Sequence, residues 1–162
     1  MEVTILLGSS SDMPVAEKCT KILKQFSVDY QLRVASAHRS PKFVEQIIHD
    51  AEADGCKVFI AMAGLAAHLA GAVASKTVLP VIGVPGDGGP LSGMDALLST
   101  VQMPKGIPVA TVAIGSAGAI NSAYLAAQML GIESESTRTA LLKVREDGVE
   151  AIKESNKKLA DS

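Results

Sequence analysis

Five short runs of strand-forming residues, each followed by a segment with helical spacing, constrain this chain more than any other feature. Residues 3–7 form a continuous run of the kind seen in a parallel strand covered on both faces. Further strands are expected at 30–35, 57–62, 80–84 and 108–114. Between them, Val15, Cys19, Ile22, Leu23 and Phe26 keep 3.6-residue spacing, as do Phe43, Val44, Ile47, Ile48 and Ala51. Asp12 ahead of Pro14 reads as an N-cap, and Ser40-Pro41 as a second helix start. An Ala-rich helix over 66–75, one near 95–101 and a long one over 117–130 complete five β-α units.

Such a succession favours an α/β three-layer sandwich around a parallel five-stranded sheet, with right-handed crossovers and the flavodoxin-like order 2-1-3-4-5. In that order the first and third strands are neighbours at the switch point, where ligands bind beyond the carboxyl ends of the strands. The turns 8–12, 36–41 and 63–71 are then expected to converge on one cleft. After Ile132 the chain turns polar, and 139–159 reads as a charged amphipathic helix carrying Leu141, Leu142, Val144, Val149 and Ile152. The expected organisation is a domain over 1–132 with 133–162 as its C-terminal helical extension, packed on another subunit or across the domain surface.

Composition excludes several function classes. With 162 residues the chain fits one domain, and 15 Lys and Arg against 17 Asp and Glu leave no basic footprint for nucleic acid. Aromatics make up only 3%, so stacking platforms for single-stranded bases are few. The longest apolar stretch, 58–75, contains His68, Gly64 and Gly71, and is better explained as strand, turn and helix than as a span of about 20 strongly apolar residues. Met1-Glu2-Val3 enters a strand without a basic n-region, so no signal peptide is expected. Cys19 and Cys56 have no C-x-x-C spacing and read as small buried thiols in a reducing cytoplasm. The high hydrophobic fraction, 48%, comes largely from Ala and Val and suggests apolar surface buried between subunits, hence a homo-oligomer.

The three converging turns carry distinct chemistry. Gly8-Ser9-Ser10-Ser11-Asp12 offers hydroxyls, backbone N–H groups and a carboxylate at a helix amino end, suited to an anion. A helix cap with a tight turn would use the same residues. It is neither a Walker A loop nor a G-x-G-x-x-G fingerprint. Ser36-Ala37-His38-Arg39-Ser40-Pro41 offers a guanidinium for bidentate phosphate binding and an imidazole for proton transfer. The turn over 63–69 is apolar and small, open to close backbone approach by a ligand and dry enough for a small uncharged species. His68 within it is either a second titrating group or a structural histidine. Asp87 and Asp95 are candidate polar anchors in Gly-rich surroundings. His49 falls on a helix exterior, and no His, Cys, Asp or Glu cluster has metal spacing.

Taken in order, these turns and the stretch 97–111 (Leu-Leu-Ser-Thr-Val-Gln-Met-Pro-Lys-Gly-Ile-Pro-Val-Ala-Thr) closely resemble the class I 5-(carboxyamino)imidazole ribonucleotide mutases. The resemblance covers the chain through Gly131. It implies an octamer of flavodoxin-like subunits without metal or organic cofactor. It also implies conversion of 5-carboxyamino-1-(5-phosphoribosyl)imidazole to the 4-carboxylate isomer in de novo purine synthesis. By the same resemblance Ser9, Asp12 and Arg39 bind the ribonucleotide, with Ser11 and Ser36 alongside, and His38 is the catalytic acid and base. Ala63, Gly64, Ala66, His68 and Leu69 would border the carbon dioxide released between the two steps. The related carboxylase, which uses aminoimidazole ribonucleotide and carbon dioxide directly, typically has His-Lys where this chain has His38-Arg39. A non-catalytic nucleotide-binding module on the same fold is the alternative outside enzymes. Ser40 replaces a common Thr, Leu65 and Ala70 stand where many members carry Gly and Pro, and Gly86-Asp87-Gly88-Gly89 departs from the usual loop.

Overall fold

In the computed structural model, which describes residues 1–160, β1 (Val3–Leu7) lies in the interior of the sheet. All five of its residues are buried because helices cover both faces. It pairs in parallel with β2 (Tyr30–Val34) on one side and β3 (Val58–Ala63) on the other. β4 (Val81–Pro85) and β5 (Ala110–Thr111) follow, giving the parallel order 2-1-3-4-5.

Side-chain alternation along each strand sorts the core into two layers. Val3, Ile5 and Leu7 pack with Ile60, Met62 and Ile82 against α1 (Met13–Gln25) and α5 (Gly115–Leu130). Leu6, Phe59, Ala61 and Val81 face α2 (Pro41–Ala53) and α3 (Leu69–Ala74). α4 (Met94–Val101) lies beside β4 and β5. Gly83 permits that approach: a Cβ there would stand 2.4 Å from Thr100 Cγ2 and 2.8 Å from Val109 Cγ1. Cys19 and Cys56 are buried free thiols, and burial pushes the Cys19 thiol up to about 11.

Several expectations needed correction. β5 has two ladder residues rather than the expected 108–114: Pro108 has no N–H to give, and the chain turns into α5 soon after Val112 N donates to Gly83 O (3.0 Å). α3 begins at Leu69 instead of 66, because Leu65 takes a left-handed φ of +57° and holds the turn open. Phe43, expected in the buried stripe of α2, is 52% exposed, whereas Val44, Ile47, Ile48 and Ala51 are buried. Asp12 occupies the position before α1 but does not cap it; its carboxylate reaches back to Ser9 instead.

The C-terminal helix α6 (Glu135–Ala160) starts earlier than expected and packs its first turns on α5, with Leu141 and Val144 half-buried. Leu142, Val149, Ile152 and Leu159 are exposed. Asp161 and Ser162 of the expected extension lie outside the described residues. Among the described residues no helix is long and apolar enough to cross a membrane; the stretch 58–75 is β3, an open turn and α3.

Candidate active site

The carboxyl ends of β1, β2, β3 and β4 open onto one cleft of about 790 Å³. Every residue that the family resemblance places at the site lines it. Ser9, Ser11 and Asp12 come from the turn after β1, and Ser36, His38 and Arg39 from the turn after β2. Ala63, Gly64, Ala66, His68 and Leu69 come from the end of β3 and the turn that follows.

The first turn is a short 3-10 segment (Ser10–Asp12) closed by a capping box. Ser9 Oγ accepts from Ser11 N (3.3 Å), and Asp12 Oδ2 accepts from Ser9 N (2.9 Å). The cap and the cleft wall are thus the same residues: the reciprocal bonds hold Ser9 and Asp12 in place while both face the cavity. Burial raises the Asp12 carboxyl above its ordinary value, and the Ser9 N–H pulls the other way.

The second turn is pinned by its serines. Ser40 Oγ accepts from Ser36 N (3.1 Å) and donates to Ser36 O (3.0 Å), so Ser40 closes the turn rather than capping α2. Ser36 Oγ accepts from Arg39 N (3.2 Å). Arg39 Nη2 donates to Gly8 O (3.3 Å), which ties the guanidinium to the end of β1 and leaves its other N–H groups at the cleft. His38 Nε2 lies 2.7 Å from His68 Nδ1, and the two rings meet edge to face with centroids 4.8 Å apart. His68 thus lines the cleft in direct contact with His38.

Beyond the expected residues, the loop after β4 forms the far wall. Gly86, Asp87, Gly88 and Gly89 all line the cleft, as does Leu65. Gly86 N donates to Ala63 O (2.8 Å), and a Cβ on Gly86 would stand 3.0 Å from Gly64 Cα, so the two loops pack backbone to backbone. A Gly-rich segment after a strand was the available signal; its contact with the β3 loop is a tertiary fact. Asp87 Oδ2 lies against the first residue of α5, where a Cβ on Gly115 would be 2.6 Å away and the helix amino end favours negative charge. Asp95 lies in the first turn of α4, outside the cleft. His49 is on the exposed surface of α2. No group of three or more His, Cys, Asp or Glu side chains among the described residues is arranged to hold a metal ion.

A cleft at the switch point of a doubly wound sheet, with a tethered guanidinium and an imidazole pair, defines a ligand-binding α/β domain of the flavodoxin-like kind. The chain belongs to the AIR carboxylase family, whose model matches residues 2–151. It is 49% identical to the N5-carboxyaminoimidazole ribonucleotide mutase of Methanocaldococcus jannaschii across 98% of both chains, and 47% identical to that of Bacillus subtilis across 97% of both. The crystal structure of Treponema denticola PurE superposes with a TM-score of 0.89 at 33% identity, covering 97% of each chain.

Proposed function

We propose that this chain is an N5-carboxyaminoimidazole ribonucleotide mutase of de novo purine synthesis, with His38 as its acid and base. The observation that carries this reading is the His38–His68 pair standing between a polar anchor and a small apolar turn in one cleft. Arg39 and the serines take the phosphate, and the oxygen of Asp12 not bound to Ser9 takes a ribose hydroxyl.

The reaction follows from that placement. Protonated His38 gives its proton to the carbamate nitrogen as the N–C bond breaks; the bonding pair stays on nitrogen and neutral carbon dioxide departs. The turn built from Ala63, Gly64, Ala66 and Leu69 holds the released molecule in dry surroundings. Carbon 4 of the electron-rich aminoimidazole attacks it with its enamine pair, forming the carboxylate. His38, now neutral, removes the proton from carbon 4 and returns to its starting state. One imidazole acts in both directions, and the proton balance closes without metal or organic cofactor.

Residues 1–132 act as the catalytic unit, and 133–162 as its extension. The protein works in the cytoplasm as a homo-octamer. Two free thiols suit a reducing compartment. Exposed Leu91, Met94, Leu98 and Val101 near and on α4, with the apolar positions of α6, provide surface for self-association. A monomeric mass by light scattering would contradict the assembly.

The experiment that tests the activity supplies the carbamate without added bicarbonate. Formation of the 4-carboxylate isomer is the expected result. Turnover only from aminoimidazole ribonucleotide and bicarbonate would assign the chain to the carboxylase reaction instead.

A further inference from the structure

Asp87 is a carboxylate seated in the cleft wall without a partner. It rests on two glycines in left-handed conformations. A Cβ on Gly93 (φ +84°) would stand 3.2 Å from Asp87 Cα, and one on Gly115 (φ +67°) 2.6 Å from Asp87 Oδ2. Glycine supplies both the backbone conformation and the room at these two positions. Among the described residues the carboxylate makes no hydrogen bond and no ion pair, yet it lines the cleft.

The sheet order sets what Asp87 faces. Along 2-1-3-4 the carboxyl ends of the strands carry Arg39, then Asp12, then the apolar turn from Ala63 to Ala66, then Asp87. A ribonucleotide with its phosphate at Arg39 and its ribose at Asp12 lays its heterocycle over the apolar turn. The ring edge remote from the phosphate then meets the loop after β4. The two carboxylates also share one face of the sheet. α1 and α5 pack together there and both run away from the carboxyl ends of the strands. Asp12 and Asp87 thus stand at the amino ends of adjacent parallel helices, whose axes pack about 8–10 Å apart. Two hydrogen bonds of about 3 Å each leave a gap of a few ångströms between the ligand atoms they hold. That is the reach from a ribose hydroxyl to an amino nitrogen on the ring carbon beside the glycosidic bond.

We propose that Asp87 receives the exocyclic amino group of the aminoimidazole and so selects ligands that carry it. This rests on the mutase reading above. The carboxylate accepts from the amino N–H. In the carbamate, which keeps one hydrogen on that nitrogen, the same bond turns the like-charged carboxylate away from Asp87 and toward the apolar turn. When carbon 4 uses the enamine pair to bond carbon dioxide, the amino nitrogen becomes an electron-poor iminium. It stays so until His38 removes the proton from carbon 4, and Asp87 stands against that positive charge. Because the segment 86–89 departs from the family's usual loop, the contact tunes this chain's site and does not enable the reaction. Its loss costs severalfold in rate, not the activity itself.

Calorimetric titration compares aminoimidazole ribonucleotide with the analogue that carries hydrogen in place of the amino group. Wild type is expected to bind the first about tenfold more tightly, the size of one hydrogen bond to a charged acceptor. Asp87→Ala is expected to bind the two alike and to turn over the carbamate severalfold more slowly. Asp87→Asn, which keeps an acceptor oxygen without the charge, should retain part of the preference. Wild type without a preference overturns the proposal, as does Asp87→Ala that keeps the wild-type preference. A lower thermal midpoint of Asp87→Ala with the preference intact assigns Asp87 to the amino end of α5 alone and overturns it too. Wild type that shows the preference but forms no 4-carboxylate from the carbamate overturns the mutase reading instead, a distinct outcome, since the preference is read from binding.

Discussion

His38 Nε2 and His68 Nδ1 stand 2.7 Å apart although 30 residues separate them in the chain. At that distance one ring nitrogen donates and the other accepts, so a single proton lies between them. The contact orients the His38 ring at the cleft and couples its tautomer to that of its neighbour.

Removing the partner should therefore impair chemistry more than binding. A positioned acid–base group contributes about 10²–10⁴-fold, and we expect His68→Ala to forfeit roughly tenfold in kcat while KM stays within about twofold. His68→Asn, which keeps a polar atom near the position of Nδ1, should recover part of the loss and shift the pH profile of kcat less than the alanine variant. Steady-state kinetics across pH measure both. Equal effects of the two variants would reduce His68 to a packing role.

Arg39 is tethered to Gly8 O and presents its remaining N–H groups to the cleft. Arg39→Ala should cost about 1.5–3 kcal/mol of ribonucleotide affinity, roughly 10- to 150-fold in Kd, since hydrogen bonds to charged groups are of that size. Arg39→Lys keeps the charge but loses the planar fork and should recover only a fraction. Calorimetric titration with aminoimidazole ribonucleotide decides; an unchanged Kd for the alanine variant contradicts a phosphate role.

Asp12 opposes stability and binding to each other. Burial raises its carboxyl above the unfolded value of 3.8, so the folded state holds the proton more tightly than the unfolded chain. A raised acid stabilises the fold fully only below the unfolded value, and that contribution is lost as pH rises through the folded value. At neutral pH the carboxylate is therefore a burden. Asp12→Asn keeps an acceptor for Ser9 N and removes the charge. Its thermal midpoint near pH 7 should equal or exceed that of wild type, and the difference should vanish below pH 3.8. Ribonucleotide affinity should fall at the same time. A lower midpoint at neutral pH with an intact fold would contradict this account.

The sheet order and the convergence of three turns were legible because continuous apolar strands and helical spacing encode layers directly. The start of α3 was not. Ala66 and Ala67 read as helix formers, yet one left-handed residue, Leu65, keeps the turn open and leaves His68 facing His38. β5 was overread because its apolar residues said nothing of how few find ladder partners. The wall over 86–89 was visible as a Gly-rich turn, but its place at the site depends on the Gly64–Gly86 approach. The exposed length of α6 likewise reflects surface whose cover no spacing rule identifies.

The central claim is that His38 moves the proton both ways. Its most direct test compares wild type with His38→Asn on the carbamate substrate, with aminoimidazole ribonucleotide affinity measured in parallel. Loss of a positioned acid–base group predicts turnover lower by about 10²–10⁴-fold with affinity largely kept. Unimpaired turnover by a folded His38→Asn protein would contradict the account.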